Sequence, residues 1–227
     1  MRREFSFSNI SFKDLKYLGA KKIRENKVFE SWFNTNIEIS KIDLEFLQKI
    51  NLKYGENKTD FFRQSSEDTI KVKFISPILE QICFYNDKQN ISDFYHEKLY
   101  YLGNKFILNG FCDFYVARGE FTPEEPYFFI QEFKKSNGSD PEPQLLAEMI
   151  AGLEISNFSR IKGAFIIGSI WNFVILDKID KDSYNYYISE NFDSTKMKDL
   201  EKIYKNLLYV KQEILNNSDN ILKQQGL

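Results

Sequence analysis

Cysteine and histidine are nearly missing from this 227-residue chain, which has two of the first and one of the second. Cys83 and Cys112 are too few and too isolated for a disulfide framework or a zinc cluster, and their apolar surroundings read as those of reduced core residues. His96 has no partner motif, so histidine-based catalysis has no support. An excess of charge of either sign is also missing: 31 basic and 33 acidic residues leave a formal net charge of −2. Long-range attraction to nucleic acid is therefore not written into the overall charge, and a large nucleic-acid footprint is disfavoured. There is no apolar run long enough to cross a bilayer, and the opening MRREFSFSNISF lacks a hydrophobic signal-peptide centre. The expectation is a cytoplasmic location with no membrane partner. A G-x-x-x-x-G-K-[ST] phosphate loop, internal repeats, low-complexity tracts and a long linker are absent as well, which removes a motor module from consideration.

What is present is enough apolar material for a folded core: 42% of the residues are hydrophobic and 16% aromatic. Residues 1 to about 60 read as a helical extension packed on the core, with apolar-periodic segments at 12–18, 28–33 and 42–54 and a capping-box-like start at Ser40 and Asp43. The polar stretch 55–66 then leads into a main domain over about 61–227. Val72, Ile75, Leu79 and Ile82 keep helical spacing within 67–85, where Pro77 would kink or restart the helix. Residues 98–102 and 106–117, joined by Gly103-Asn104, suggest a hairpin. Residues 126–135 read as an interior strand. Turns at Asn137-Gly138 and 140–143 precede a helix starting at Pro143, with Leu146, Met149, Ile150 and Leu153 on its apolar face. Apolar strands at 163–170 and 172–177 meet near Trp171, and 198–215 closes as a helix. Trp171 and Phe173 read as core, while Tyr184, Tyr186 and Tyr187 fit an edge strand or a partner contact. The order predicts an α/β fold bordering on α+β, with helices on a mixed central sheet.

The most informative stretch is 110–134, GFCDFYVARGEFTPEEPYFFIQEFK. Residues 127–130 are apolar at every position, as in a strand covered on both faces, and charge then appears abruptly at Glu132 and Lys134. Residues two apart on a strand point the same way, so this carboxylate and this ammonium leave the sheet together. Asp113 lies on the neighbouring run and can converge with Glu132 on one ion. Phosphodiester cleavage needs a nucleophile at neutral pH and compensation for charge developing on the phosphate, which carboxylate-held Mg²⁺ supplies. Lys134 would stabilise the transition state or orient the attacking water. Lys134, Lys135, Arg160 and Lys162 are the candidates for a local basic, nucleic-acid-binding surface.

Asp113, then Glu132-Phe133-Lys134, then Gln144 opening a helix, resembles the PD-(D/E)xK nuclease superfamily over about residues 67–177. More narrowly, GFCDFYVA, YFFIQEFKKSN, Gln144-Leu145-Leu146 and the later Gly168-x-x-Trp171-x-Phe173 are similar to the amino-terminal nuclease modules of type I restriction subunits and their stand-alone relatives. The resemblance implies a restriction endonuclease-like mixed sheet flanked by helices. Asp113 and Glu132 would be ligands of Mg²⁺ or Mn²⁺, with the Phe133 carbonyl contributing, and Lys134 would be the catalytic lysine. Glu67, the match for an acidic residue on the first core helix, would be a further metal ligand, and Gln144, the match for the helix-opening glutamine, would belong to the catalytic set. Two departures stand out: Glu148 occupies a position that is aromatic in some branches, and Phe111-Cys112 replaces the usual proline before the aspartate. The expected activity is hydrolysis of DNA, with RNA left open, in restriction, defence or DNA processing. Specificity would come from a partner protein or a homodimer. The alternative is a protein that keeps the fold as a nucleic-acid-binding or protein-interaction module without turnover.

Overall fold

The computed structural model describes residues 2–55, 60–135 and 140–225, so the expected Asn137-Gly138 turn lies outside the described residues. The chain has an α/β architecture: one curled mixed sheet carries helices on both faces. It opens with β1 (Arg3–Ser6), α1 (Phe12–Leu18), β2 (Ala20–Lys22), α2 (Glu30–Phe33), α3 (Lys41–Tyr54) and α4 (Asp60–Gln64). Three of the early helices start where a serine hydroxyl accepts an otherwise orphaned backbone N–H. Ser11 takes that of Asp14, Ser40 that of Asp43, and Ser66, before α5 (Glu67–Ile70), that of Thr69. Helical structure continues from α5 through a π turn (Lys71–Ile75) into α6 (Ser76–Ile82). Pro77 therefore does not stop the helix. Its missing N–H removes one bond to the preceding turn, and the chain widens to five-residue bonds just ahead of it.

The sheet follows in β3 (Ile91–Leu102), β4 (Phe106–Arg118) and β5 (Glu124–Lys134). After α7 (Glu142–Ser156) come β6 (Arg160–Ile167), β7 (Ile170–Asp180), β8 (Ser183–Ile188) and β9 (Phe192–Asp193), and α8 (Met197–Gln225) closes the series. The strand order is β1-β4-β5-β6-β7-β8-β2, with β3 on the other edge of β4 and β9 on β7. The pairs β1–β4, β5–β6 and β2–β8 are parallel and the rest antiparallel. On one face α7 packs Leu146, Met149, Ile150 and Leu153 against Ile130, Val174 and Leu176. On the other, Leu47, Ile78, Leu79, Ile203 and Leu207 cover Phe129, Phe133 and Phe173. The interior strand read at 126–135 is thus buried on both faces and starts two residues earlier.

Several expectations need correction. The first sixty residues are not purely helical: β1 and β2 join the sheet, and strands of four and three residues are too short to show an alternation. β8 is not a bare edge, because β2 covers it beside Tyr184 and Tyr186. The β6–β7 turn falls at Gly168 and Ser169, where Gly168 takes φ 61°, and not at Trp171, which lies inside β7. Cys112 is buried as read, but Cys83 is exposed: it ends α6 in the left-handed conformation, φ 56°, with its side chain turned to solvent.

One irregularity positions the site. β1 pairs with β4 only as far as Asn109, and β5 joins the same edge at Phe114, so the sheet forks at residues 110–113. Phe7, just past β1, fills the fork beneath Gly110, where a Cβ would lie 2.7 Å from the ring. Across β4, the β3 ladder skips the His96–Asp113 step, with His96 at φ 53°.

Candidate active site

The fork leaves the edge of β5 beyond Gln131 without a strand partner on the β4 side, and Asp113 takes that place. Its Oδ2 accepts the Phe133 backbone N–H at 2.9 Å. A residue in an extended strand directs its N–H and C=O to one edge, so the Phe133 carbonyl faces Asp113 too. Consistently, the Lys134 carbonyl accepts the Gly168 N–H at 3.0 Å on the opposite edge. Alternation places Glu132 and Lys134 together on the α7 face, with Lys134 Nζ 2.6 Å from Glu132 Oε1. Glu132 is 0% exposed, and neither of its oxygens makes any further hydrogen bond.

The helix beginning at α5 supplies the other wall. Glu67 and Lys71 are one turn apart, and Lys71 Nζ lies 3.0 Å from Glu67 Oε1 and 2.8 Å from Asp113 Oδ1. Glu67 Oε2 accepts the Lys135 backbone N–H at 3.2 Å, which ties the helix start to the end of β5. From below, α7 contributes Glu148, also 0% exposed. Its Oε1 accepts from Gln144 Nε2 at 3.0 Å, while Oε2 makes no hydrogen bond, although the Cys112 thiol lies beside this carboxyl.

The electrostatics follow from this packing. Burial, reinforced by the Asp113 charge and only partly offset by Lys134, pushes the Glu132 carboxyl up to about 7. Burial and Glu132 together raise the Glu148 carboxyl well above its ordinary value. For Lys71 and Lys134, burial works against the charge, but the facing carboxylates outweigh it and raise both ammonium groups. Glu67 goes the other way: burial is outweighed by its bond to Lys71, and its pKa falls. The cluster therefore holds two firmly charged cations and a pair of buried carboxyls that resist ionising together.

Does the donor set suit a divalent ion? Carboxylate and backbone carbonyl oxygens are hard ligands of the kind Mg²⁺ and Mn²⁺ take, and Mg²⁺ is commonly held by one or two carboxylates with waters completing its shell. Asp113, Glu132 and the Phe133 carbonyl meet that description, and the Oε2 of buried Glu132, without a hydrogen bond, is what an ion would satisfy. Among the described residues no three His, Cys, Asp or Glu side chains converge on one ion-sized point. Two carboxylates and a carbonyl would be the protein's donors, while Glu67, expected as a further ligand, has both oxygens bonded, one to Lys71 and one to the Lys135 N–H.

Of the residues singled out in the sequence, Asp113, Glu132, Phe133, Lys134, Glu67 and Gln144 come together, Gln144 through Glu148. Lys135 is present through its backbone. Arg160 and Lys162 do not join them. They start β6 at the end away from Phe165 and Ile167, which lie beside Glu132 and Lys134. Arg160 makes a two-pronged bond to Asp177 at 2.6 and 2.8 Å, and nearly buried Lys162 pairs with Glu213 at 2.5 Å between the rings of Trp32 and Tyr209. Both charges are paired within the fold, with Arg160 half exposed. Two cluster members went unassigned in the sequence reading, Lys71 and Glu148. Glu148 had a signal, as a carboxylate inside the apolar run LLAEMIAGL, and Lys71 had one in its four-residue spacing from Glu67. No protein-family model matches the chain, and no curated protein matches it significantly.

Proposed function

We propose that this chain is a Mg²⁺- or Mn²⁺-dependent nuclease of PD-(D/E)xK type that hydrolyses phosphodiester bonds in DNA, acting in the cytoplasm in restriction, defence or DNA processing. The observation that carries this reading is the junction at the fork. There Asp113 is fixed on the Phe133 N–H beside a fully buried Glu132 that is paired with the partly buried Lys134 and whose oxygens make no further hydrogen bond. A purely structural ion pair has no need of unsatisfied oxygens, since they cost stability.

Asp113, Glu132 and the Phe133 carbonyl would hold the ion. Bound there, it supplies Lewis-acid polarisation of the phosphoryl group and lowers the pKa of a coordinated water. Asp113 is held in ligating orientation by the Phe133 N–H. Lys134 keeps a positive charge beside Glu132, where it orients the water or balances charge on the pentacoordinate phosphorus. Gln144 fixes one oxygen of Glu148 and so sets how that carboxyl meets Glu132.

Labelled single- and double-stranded DNA, with RNA in parallel, tests the reading in Mg²⁺, Mn²⁺ or EDTA. Metal-dependent cleavage is expected, falling on the order of 100-fold or more in Asp113→Ala and Lys134→Ala. Equal cleavage by wild type and both variants would rule the site out.

A second reading, a binding module without turnover, draws on the two lysines, since Lys71 already pairs with Asp113 and Glu67, and Lys134 with Glu132. Thermal unfolding separates the two. An ion bound to the folded state raises the midpoint by mass action, and Asp113→Asn abolishes the rise. No metal effect in the wild type favours the module.

A further inference from the structure

Lys71 is a cation in the cluster to which the nuclease reading assigns no task. Asp113 has two oxygens: Oδ2 is committed to the Phe133 N–H, and Oδ1, the one left for an ion, is covered by Lys71 Nζ at 2.8 Å. The same ammonium reaches Glu67 Oε1 at 3.0 Å and lies 5.7 Å from the Phe133 ring centroid, so it sits over the residue whose carbonyl completes the donor set. It is not sealed in. Its side chain is 25% exposed, and its neighbour Val72 is 68% exposed, which puts Lys71 at the mouth of the site.

We propose that Lys71 is a positioning residue that acts as the site's internal cation: it holds Asp113 and Glu67 in place and sets the affinity for the divalent ion by competing for Asp113 Oδ1. The proposal rests on the reading of Asp113 and Glu132 as metal ligands. An ion on Oδ1 meets a like charge within a few ångströms in a partly desolvated site, and that repulsion weakens binding. The flexible stem lets the ammonium withdraw toward Glu67 or follow an incoming phosphate, so ion and substrate binding reinforce one another.

Isothermal titration of Mn²⁺ into the full chain tests this with wild type, Lys71→Met, Lys71→Gln, Lys71→Arg and Asp113→Asn. Lys71→Met and Lys71→Gln are expected to bind Mn²⁺ about tenfold more tightly than wild type, Lys71→Arg about as wild type, and Asp113→Asn far more weakly. Metal-dependent thermal stabilisation should be larger in the two neutral variants. Lys71→Gln keeps a donor for Asp113 and Glu67, so it serves should Lys71→Met fold poorly. If Asp113→Asn loses binding while both neutral variants bind no more tightly than wild type, competition by Lys71 is overturned and the metal site stands. If Asp113→Asn binds like wild type, or no protein binds Mn²⁺, the metal reading falls and this proposal with it.

Discussion

Buried carboxyls with few hydrogen bonds leave a signature in how stability depends on pH. An unfolded glutamate titrates near its ordinary value of 4.5, whereas burial holds Glu132 at about 7 in the folded chain. Between those values the native state binds the extra proton, so the contribution of Glu132 is fully present below about pH 4.5 and is lost as pH rises through 7. In EDTA, urea unfolding is expected to show a wild-type loss across this window that exceeds that of Glu132→Gln by up to about 3 kcal/mol, the loss due to buried Glu148 remaining in both. A saturating divalent ion should remove the loss, because ligation favours the ionised carboxylate, and metal affinity should rise between about pH 6 and 8 for the same reason. A wild-type curve parallel to that of Glu132→Gln would mean that Glu132 is not held protonated. At this scale the sequence was legible where alternation applied, in Glu132 and Lys134 two apart on a strand, whereas Glu148, four residues after Gln144, stood out only as a departure from the expected aromatic. The bond from Lys71 to Asp113 spans two elements, and local spacing carries no trace of it.

Among the elements, α7 and β5 were readable because burial dictates their composition. The fork in β4 was not, since it depends on where two partners stop and start on one edge. Gly110 is its local mark: at φ 152° and against Phe7, it accommodates no side chain without displacement. Gly110→Ala is expected to cost about 1–3 kcal/mol, measurable by thermal or chemical unfolding. In a double-mutant cycle with Phe7→Ala the combined loss should be smaller than the sum of the single losses, because removing the ring removes the collision. Strict additivity would show that the glycine is not needed for that contact. The short strands β1 and β2 escaped notice for a related reason. Their extended conformation follows from docking on β4 and β8, and a three-residue stretch such as Ala20–Lys22 has no preference strong enough to announce it.

For the whole molecule, the sheet curls until its two ends approach. The β3–β4 turn meets the β7–β8 turn through Lys105 and Asp182, 3.1 Å apart, and β1, α1 and β2 run across this closure with one strand on each side. Lys22 is tied to Glu142 at the start of α7, at 3.0 Å, and Glu142 also accepts from Tyr186. Trp32, fully buried, donates from its indole to the Asn206 carbonyl and meets Phe173 edge-on at 5.1 Å. The first sixty residues therefore supply core and sheet as well as helices. Trp32→Ala is expected to lose about 3–5 kcal/mol of unfolding free energy. Deletion of residues 2–22 should abolish a cooperative unfolding transition rather than free a smaller folded unit. A soluble, cooperatively folding truncation that still cleaves DNA would refute this view of the closure.

That closure also has a bearing on the order of events during synthesis. Residues 3–6 and 20–22 leave the ribosome early, yet their partners at 106–109 and 184–186 follow roughly a hundred and a hundred and sixty positions later. Bringing such distant segments together carries a loop-closure cost that local contacts do not repay, so these pairings belong late in folding. The fork that lodges Asp113 exists only once β1 is seated. If the proposed metal site needs both of these pairings, a ribosome-stalled series of lengthening fragments should acquire Mn²⁺ binding only after β8 clears the exit tunnel.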